Sequence, residues 1–175
     1  MNNAIVSIIM GSDSDLPVMQ GVKKILEEFV VKYKISVISA HRNPEGLMKQ
    51  VKSDSAEGVK VFIAGAGGAA HLPGVIAAYT TQPVIGIPIQ TKTLDGLDSL
   101  LSIVQMPSGV PVATVAINGA QNAGLLAVQI LATSDEKLER KLVEFKKQMR
   151  EKVEKKSAEL QKIGVSGYLE KMSRK

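Results

Sequence analysis

Two histidines and one arginine carry most of the proton and charge chemistry that this chain offers before its last forty residues. His41 and His71 are its only histidines, and Arg42 is the only arginine in residues 1–139. An imidazole gives and takes protons near neutral pH, so His41 is a candidate general acid and base. Arg42 stands just ahead of Asn43-Pro44-Glu45, which reads as a helix start: Asn as cap, Pro at the first helical position, and an acid beside the positive dipole end. A guanidinium held next to a helix N-terminus suits a phosphate. The plainer alternative is that His41 closes a strand end and Arg42 forms a surface ion pair.

Three loops join these residues. Gly11-Ser12-Asp13-Ser14-Asp15 follows an apolar run and opens a helix. Its hydroxyls and backbone N–H groups suit a phosphate, and Asp15 suits ribose hydroxyls, although Ser14 or Asp15 could simply cap the helix. Ser39-Ala40-His41-Arg42 is the second loop. The third, Ala64 to Gly74, is rich in Gly and Ala, free of charge, and reads as a long loop that lets a planar ligand approach the backbone. A fourth stretch, Met106-Pro107-Ser108-Gly109-Val110-Pro111, is a stiff turn that either lines a pocket or only connects.

Several chemistries are disfavoured. The chain has no Cys, which excludes a disulfide scaffold, a thiolate zinc site and a Cys nucleophile. Two histidines without carboxylates at ligand spacing give little support to a metal site. The Gly65/Gly67 run departs from the dinucleotide fingerprint, and no Walker A pattern occurs, so no nucleotide cofactor is expected. The N-terminal residues read as a first strand and not a signal peptide. No apolar run approaches the ~18 residues of a membrane helix, so a cytoplasmic protein with no membrane partner is expected.

The elements that must position these loops follow from hydrophobic pattern. Residues 4–10, 35–38, 59–64, 83–87 and 112–117 are Val/Ile-rich runs without alternation, as strands buried on both faces of a parallel sheet read. Between them lie helical patterns: Val18, Val22, Ile25, Leu26 and Phe29 on one face; Leu47, Met48 and Val51 on another; then residues 71–80, 95–104 and 119–132. Alternation of strand and helix through about five units predicts a flavodoxin-like α/β sandwich with a parallel sheet. In such a sheet, loops that follow strands crowd together at the carboxyl edge, where ligands bind. Residues 1–175 therefore read as one domain, with a core over 1–133 and a C-terminal amphipathic helix and tail over 134–175.

That last segment holds the charge. Residues 1–133 carry nine basic and nine acidic residues, whereas residues 134–175 carry 13 basic against 8 acidic, the whole of the +5. Thr133-x-x-Glu136 reads as a capping box, and Leu138, Leu142, Phe145, Met149 and Val153 form a stripe that Leu160 and Ile163 extend. Helical spacing pairs Glu136 with Arg140 and Glu151 with Lys155. Interleaved charge reads as a solvated helix face and not a nucleic-acid site, and a helix this long is expected to dock on a neighbour, with packing on its own sheet as the alternative.

Taken in order, GSDSD (11–15), SAHR (39–42), AGAGGAAHLPG (64–74), GIPIQ (86–90), DSLLSIVQMPSGVPVATVAI (98–117) and NAGLLAVQILA (122–132) resemble the N5-carboxyaminoimidazole ribonucleotide mutases of bacterial purine biosynthesis. The resemblance implies a flavodoxin-like subunit in a homo-octamer, a small ribonucleotide substrate, and neither metal nor organic cofactor. It implies His41 as the proton-transfer residue. Ser12, Asp15 and Arg42 would bind the ribose phosphate part, Ser39 would line the pocket, and Ala66, Gly67 and Leu72 would contact the base and carboxyl group. His71 is implied near the carboxylate. A second branch of the family, which uses CO2 directly, usually carries Lys in place of Arg42 and lacks the AAHLPG run. Arg42 and His71 thus point to the mutase branch. The extended Lys-rich C-terminus departs from the family pattern.

Overall fold

The computed structural model describes residues 4–173. The first three residues and the last two of the tail, parts of the N-terminal and C-terminal readings above, lie outside the described residues.

Residues up to Ser134 form one compact unit. It holds β1 (Val6–Met10), α1 (Leu16–Glu28), β2 (Tyr33–Val37), α2 (Pro44–Ala56), β3 (Val61–Gly67), α3 (Leu72–Tyr79), β4 (Val84–Ile89), α4 (Leu97–Val104), β5 (Ala113–Thr114) and α5 (Ala120–Ala132). All pairings are parallel, and the strand order is β2-β1-β3-β4-β5. This is the flavodoxin-like arrangement expected from the strand–helix alternation. Because the chain passes from β1 outward to β2 and then back to β3, its direction reverses beside β1, where an open sheet leaves a crevice.

The three inner strands β1, β3 and β4 are buried along nearly their whole length. Their residues alternate between two apolar layers. One layer gathers Ile9, Phe62, Ala64 and Val84 with Leu47 and Val51 of α2, Ile76 of α3 and Ile103 of α4. The other faces α1 and α5, which meet through small residues: a side chain at Gly21 would meet Ala120, and one at Gly124 would meet Ile25 at 2.9 Å.

The edges differ from the expectation of burial on both faces. β2 is an edge strand whose Ile35 and Val37 are exposed. β5 pairs over only two residues, although Val115 N–H still donates to Gly86 O and Asn118 N–H to Pro88 O beyond it. A buried ionic cluster ties α2 to the β2 edge. Asp54, fully buried, accepts from Ser7 Oγ of β1 at 2.6 Å, from Gln50, and from Lys34 of β2, whose ammonium also reaches Glu57. Burial opposes the Lys34 charge, but the hydrogen bonds to Asp54 and Glu57 outweigh it and raise its pKa.

Residues from Asp135 onward form a second unit, the helix α6 (Glu136–Ser173). The expected capping box does not form. Thr133 belongs to the end of α5 and spends its hydroxyl on Ile130 O, while Asp135 Oδ1 caps α6 by accepting from the N–H groups of Lys137 and Leu138. Glu136 pairs with Arg140 as expected, but Glu151 takes Lys147, one turn earlier, in place of Lys155. Nor is the helix continuous: Gly164 sits at φ +71°, outside helical conformation. Lys171 pairs with Glu159. In a straight helix twelve residues span about 18 Å, so this contact requires the chain to turn back at Gly164. Among the described residues no helix is long and apolar enough to cross a membrane.

Candidate active site

Four connections at the carboxyl ends of β1, β2, β3 and β4 line an open pocket of about 530 Å³. Nine of the residues singled out from the sequence line it: Ser12 and Asp15 after β1; Ser39, His41 and Arg42 after β2; Ala66 and Gly67 at the end of β3; His71 and Leu72 at the start of α3.

The β1 connection is a 3-10 turn over Asp13–Asp15 that runs into α1. Ser12 caps this turn, its Oγ accepting from Ser14 N–H at 3.3 Å and from Ser14 Oγ at 2.9 Å. Asp15 does not cap α1 with its side chain. It is buried instead, and that burial pushes its carboxyl above the ordinary carboxylate range, against the opposing hydrogen bonds from Ser14 and Ser12. A buried acid lining a pocket and not used as a cap is a candidate for ligand contact.

The β2 connection takes its shape from Asn43, whose Oδ1 accepts from Gly46 N–H at 3.0 Å at the start of α2. Ser39 does more than line the pocket. Its Oγ accepts from Arg42 N–H at 3.2 Å and from Arg42 Nε at 3.4 Å, and its carbonyl accepts from Asn43 N–H. Arg42 is thereby aimed beside the α2 N-terminus, as a phosphate-binding guanidinium should be.

The two histidines meet. His41 Nε2 lies 2.8 Å from His71 Nδ1, with ring centroids 4.9 Å apart and planes at 83°. At that distance one ring nitrogen donates and the other accepts. Each ring thus selects the other's tautomer. His71 reaches this position as the residue before α3, turned inward by two tight steps, Ala70 N–H to Gly68 O and His71 N–H to Ala69 O, both 2.8 Å.

The long third loop is shorter than expected. Gly65, Ala66 and Gly67 continue β3, paired with Ile87, Pro88 and Ile89, and only Gly68 to His71 lie outside regular structure. Gly65 is small because Met19 of α1 packs where its Cβ would be, not to admit a ligand. β4 runs two residues beyond the Ile87 end that its apolar pattern predicts. Pro88 is in the strand, and Ile89, Gln90 and Thr91 complete the pocket wall. Gln90 is held by Asn118 through Gln90 N–H to Oδ1 and Nδ2–H to Gln90 Oε1. The signal for these residues was the GIPIQ run itself, which no chemistry-bearing side chain marked out. The Met106–Pro111 stretch does not line the pocket. It is a connector, turning at Gly109, with Met106 packed against Gly74.

The AIR carboxylase family profile matches residues 5–152. The chain is 58% identical to an N5-carboxyaminoimidazole ribonucleotide mutase of Pyrococcus horikoshii, over 94% of this chain and 93% of that protein. It is 56% identical to a mutase of the same name from Thermotoga maritima, over 94% and 96%. A phosphoribosylaminoimidazole carboxylase of Candida glabrata is 54% identical over 95% of this chain, which spans only 29% of that longer protein. Among solved structures, Treponema denticola PurE superposes with a TM-score of 0.82 at 27% identity, covering 89% of this chain and 97% of the other. The chain belongs to the AIR carboxylase family.

Proposed function

We propose that this protein is an N5-carboxyaminoimidazole ribonucleotide mutase, an isomerase that moves a carboxyl group from the exocyclic nitrogen of the aminoimidazole to ring carbon C4. The near full-length identity to two proteins of that name supports the reading, and the observation that carries it in the structure is the His41–His71 contact inside a pocket that also presents Arg42.

The reaction needs a proton delivered and a proton removed, with no net change. His41 as imidazolium donates to the exocyclic nitrogen. The N–C bond to the carboxyl breaks, and aminoimidazole ribonucleotide and CO2 remain in the pocket. Ring carbon C4 attacks CO2, a C–C bond forms, and neutral His41 takes the C4 proton. Atoms and charge balance without a cofactor. Acid–base assistance of this kind contributes typically ~10²–10⁴-fold, and holding CO2 against the ring adds a proximity term. His71 supports the cycle through its hydrogen bond with His41. Arg42 and Ser12 take the phosphate, Asp15 the ribose hydroxyls, Ser39 aims Arg42, and Ala66, Gly67 and Leu72 face the base and its carboxyl group. The subunit assembles as a homo-oligomer, an octamer by family resemblance, and works in the cytoplasm. The solvent-facing Leu97, Leu101 and Val104 stripe of α4 supports assembly.

The test is turnover of N5-carboxyaminoimidazole ribonucleotide without ATP or added metal, followed against the spontaneous background. Rapid formation of the C4-carboxylated isomer is expected. Activity only with aminoimidazole ribonucleotide and bicarbonate would move the protein to the carboxylase reading, which the relative from Candida glabrata keeps in view.

A further inference from the structure

The stretch that begins Asp98-Ser99-Leu100-Leu101-Ser102 contributes no residue to the pocket wall, yet it reaches three points of the rim. Ser99 is fully buried, and its bonds run out of its own helix: Ser99 Oγ accepts from Gly68 N–H at 2.9 Å and donates to Ile89 O at 2.7 Å. Ser102 Oγ shares its one proton between Asp98 O at 2.7 Å and Gly68 O at 3.2 Å. Asp98 accepts from Thr91 Oγ1 at 2.9 Å. Helix α4 therefore grips Gly68 at both its N–H and its carbonyl, and joins the ends of β3 and β4 on the far side of the pocket from Arg42.

Gly68 is where that grip matters. It has φ +67°, a conformation that glycine adopts without cost and that many backbone alternatives compete with. It is the first residue after β3, and its carbonyl also accepts from Ala70 N–H in the tight step that turns His71 toward His41. A flexible residue in an uncharged turn holds its shape only if neighbours hold it. A hydroxyl buried at Ser99 costs free energy unless it bonds, and here both of its bonds go to the rim.

We propose that Ser99 and Ser102 are positioning residues for this reaction: by fixing the Gly68 turn from behind, they hold the pocket wall and His71 in place while CO2 passes from nitrogen to carbon. The inference rests on the mutase reading above. It assigns a role to the serines of α4, which touch no substrate, and it separates them from the phosphate side of the pocket, where Ser12, Asp15 and Arg42 act. Loss of the grip should leave substrate binding nearly intact while letting CO2 escape. The abortive outcome is balanced: the substrate takes one proton and gives aminoimidazole ribonucleotide and CO2.

The experiment uses carboxyl-labelled N5-carboxyaminoimidazole ribonucleotide and reads label lost as CO2 against label kept in the C4-carboxylated product, corrected for the uncatalysed loss. Wild-type conversion in the same assay establishes the parent reaction; its failure would remove the mutase reading, not the positioning role alone. In Ser99→Ala and Ser102→Ala the expected result is a KM close to wild type, a kcat lower by roughly 10-fold or more, and a several-fold rise in lost label, with Ser102→Thr restoring the wild-type ratio. A purely structural role would lower kcat through less folded protein and leave the ratio unchanged. Folded Ala variants with the wild-type ratio overturn the proposal. If Ser99→Ala fails to fold, the Ser102→Ala and Ser102→Thr pair decides alone.

Discussion

His41 and His71 stand thirty positions apart, yet their nitrogens are 2.8 Å apart. Replacing His41 with Asn keeps a polar side chain and leaves the Ser39–Arg42 and Asn43–Gly46 hydrogen bonds untouched. The expected result is a loss of turnover of ~10²–10⁴-fold with an unchanged melting temperature; near-normal turnover would remove His41 from the chemistry. Asp15 offers a test with a definite sign. Burial raises its carboxyl pKa in the fold. Just above the ordinary carboxylate value the folded chain therefore retains a proton that the unfolded chain has lost. Stability falls as pH rises through that window, and at neutral pH the buried charge is a cost. Asp15→Asn should melt higher than wild type at neutral pH, with the difference vanishing at acid pH, while substrate affinity falls. A variant that melts lower at neutral pH would show that the charge is stabilising. The histidines are legible because the chain has only two of them, and Asp15 because its loop opens a helix. The contact between the histidines is not, because it depends on β2 and β3 flanking β1 in register.

At the scale of elements, boundaries were read well where one signal dominated and poorly where two competed. Asn43-Pro44 marked the start of α2 without a rival. Thr133 and Asp135 both suit a helix cap, and α5 claimed the threonine first. The apolar run of β4 ends at Ile87 in the sequence, but the Pro88 carbonyl still accepts from Asn118 N–H and the strand runs on to Ile89, into the site. The end of α1 carries an opposite kind of surprise. Val30 N–H donates to Glu27 O and Val31 N–H to Leu26 O, the bonding of a Schellman turn, which places Val30 at φ +61°. A β-branched residue there is strained by roughly 1–2 kcal/mol, and its side chain is 77% exposed, so it gains little from packing. Val30→Gly should stabilise the protein by about 1 kcal/mol, read as a higher urea midpoint at constant slope. A lower midpoint would mean that the side chain contributes more than the backbone strain costs.

At the scale of the whole molecule, the sheet order followed from alternation of strand and helix, since short parallel connections leave few topologies. The contrast between a charge-neutral core and a basic end was equally plain in the residue counts. The turn at Gly164 was hidden because apolar spacing runs on toward it. Helix α4 joins two scales. One of its faces grips Gly68, and the other shows Leu97, Leu101 and Val104 to solvent. A second subunit seated on the solvent face would stiffen the support of the pocket as well. For a homo-oligomer closing on that stripe, association and ligand binding become a single thermodynamic cycle. Ligand must then tighten self-association by the same factor by which self-association tightens ligand. Sedimentation with and without a substrate analogue, set beside analogue titrations at high and low protein concentration, measures both legs. Equal factors above one are expected, and factors of one would mean that the two faces of α4 act independently. Where the factors exceed one, dilution alone acts as an inhibitor of this enzyme.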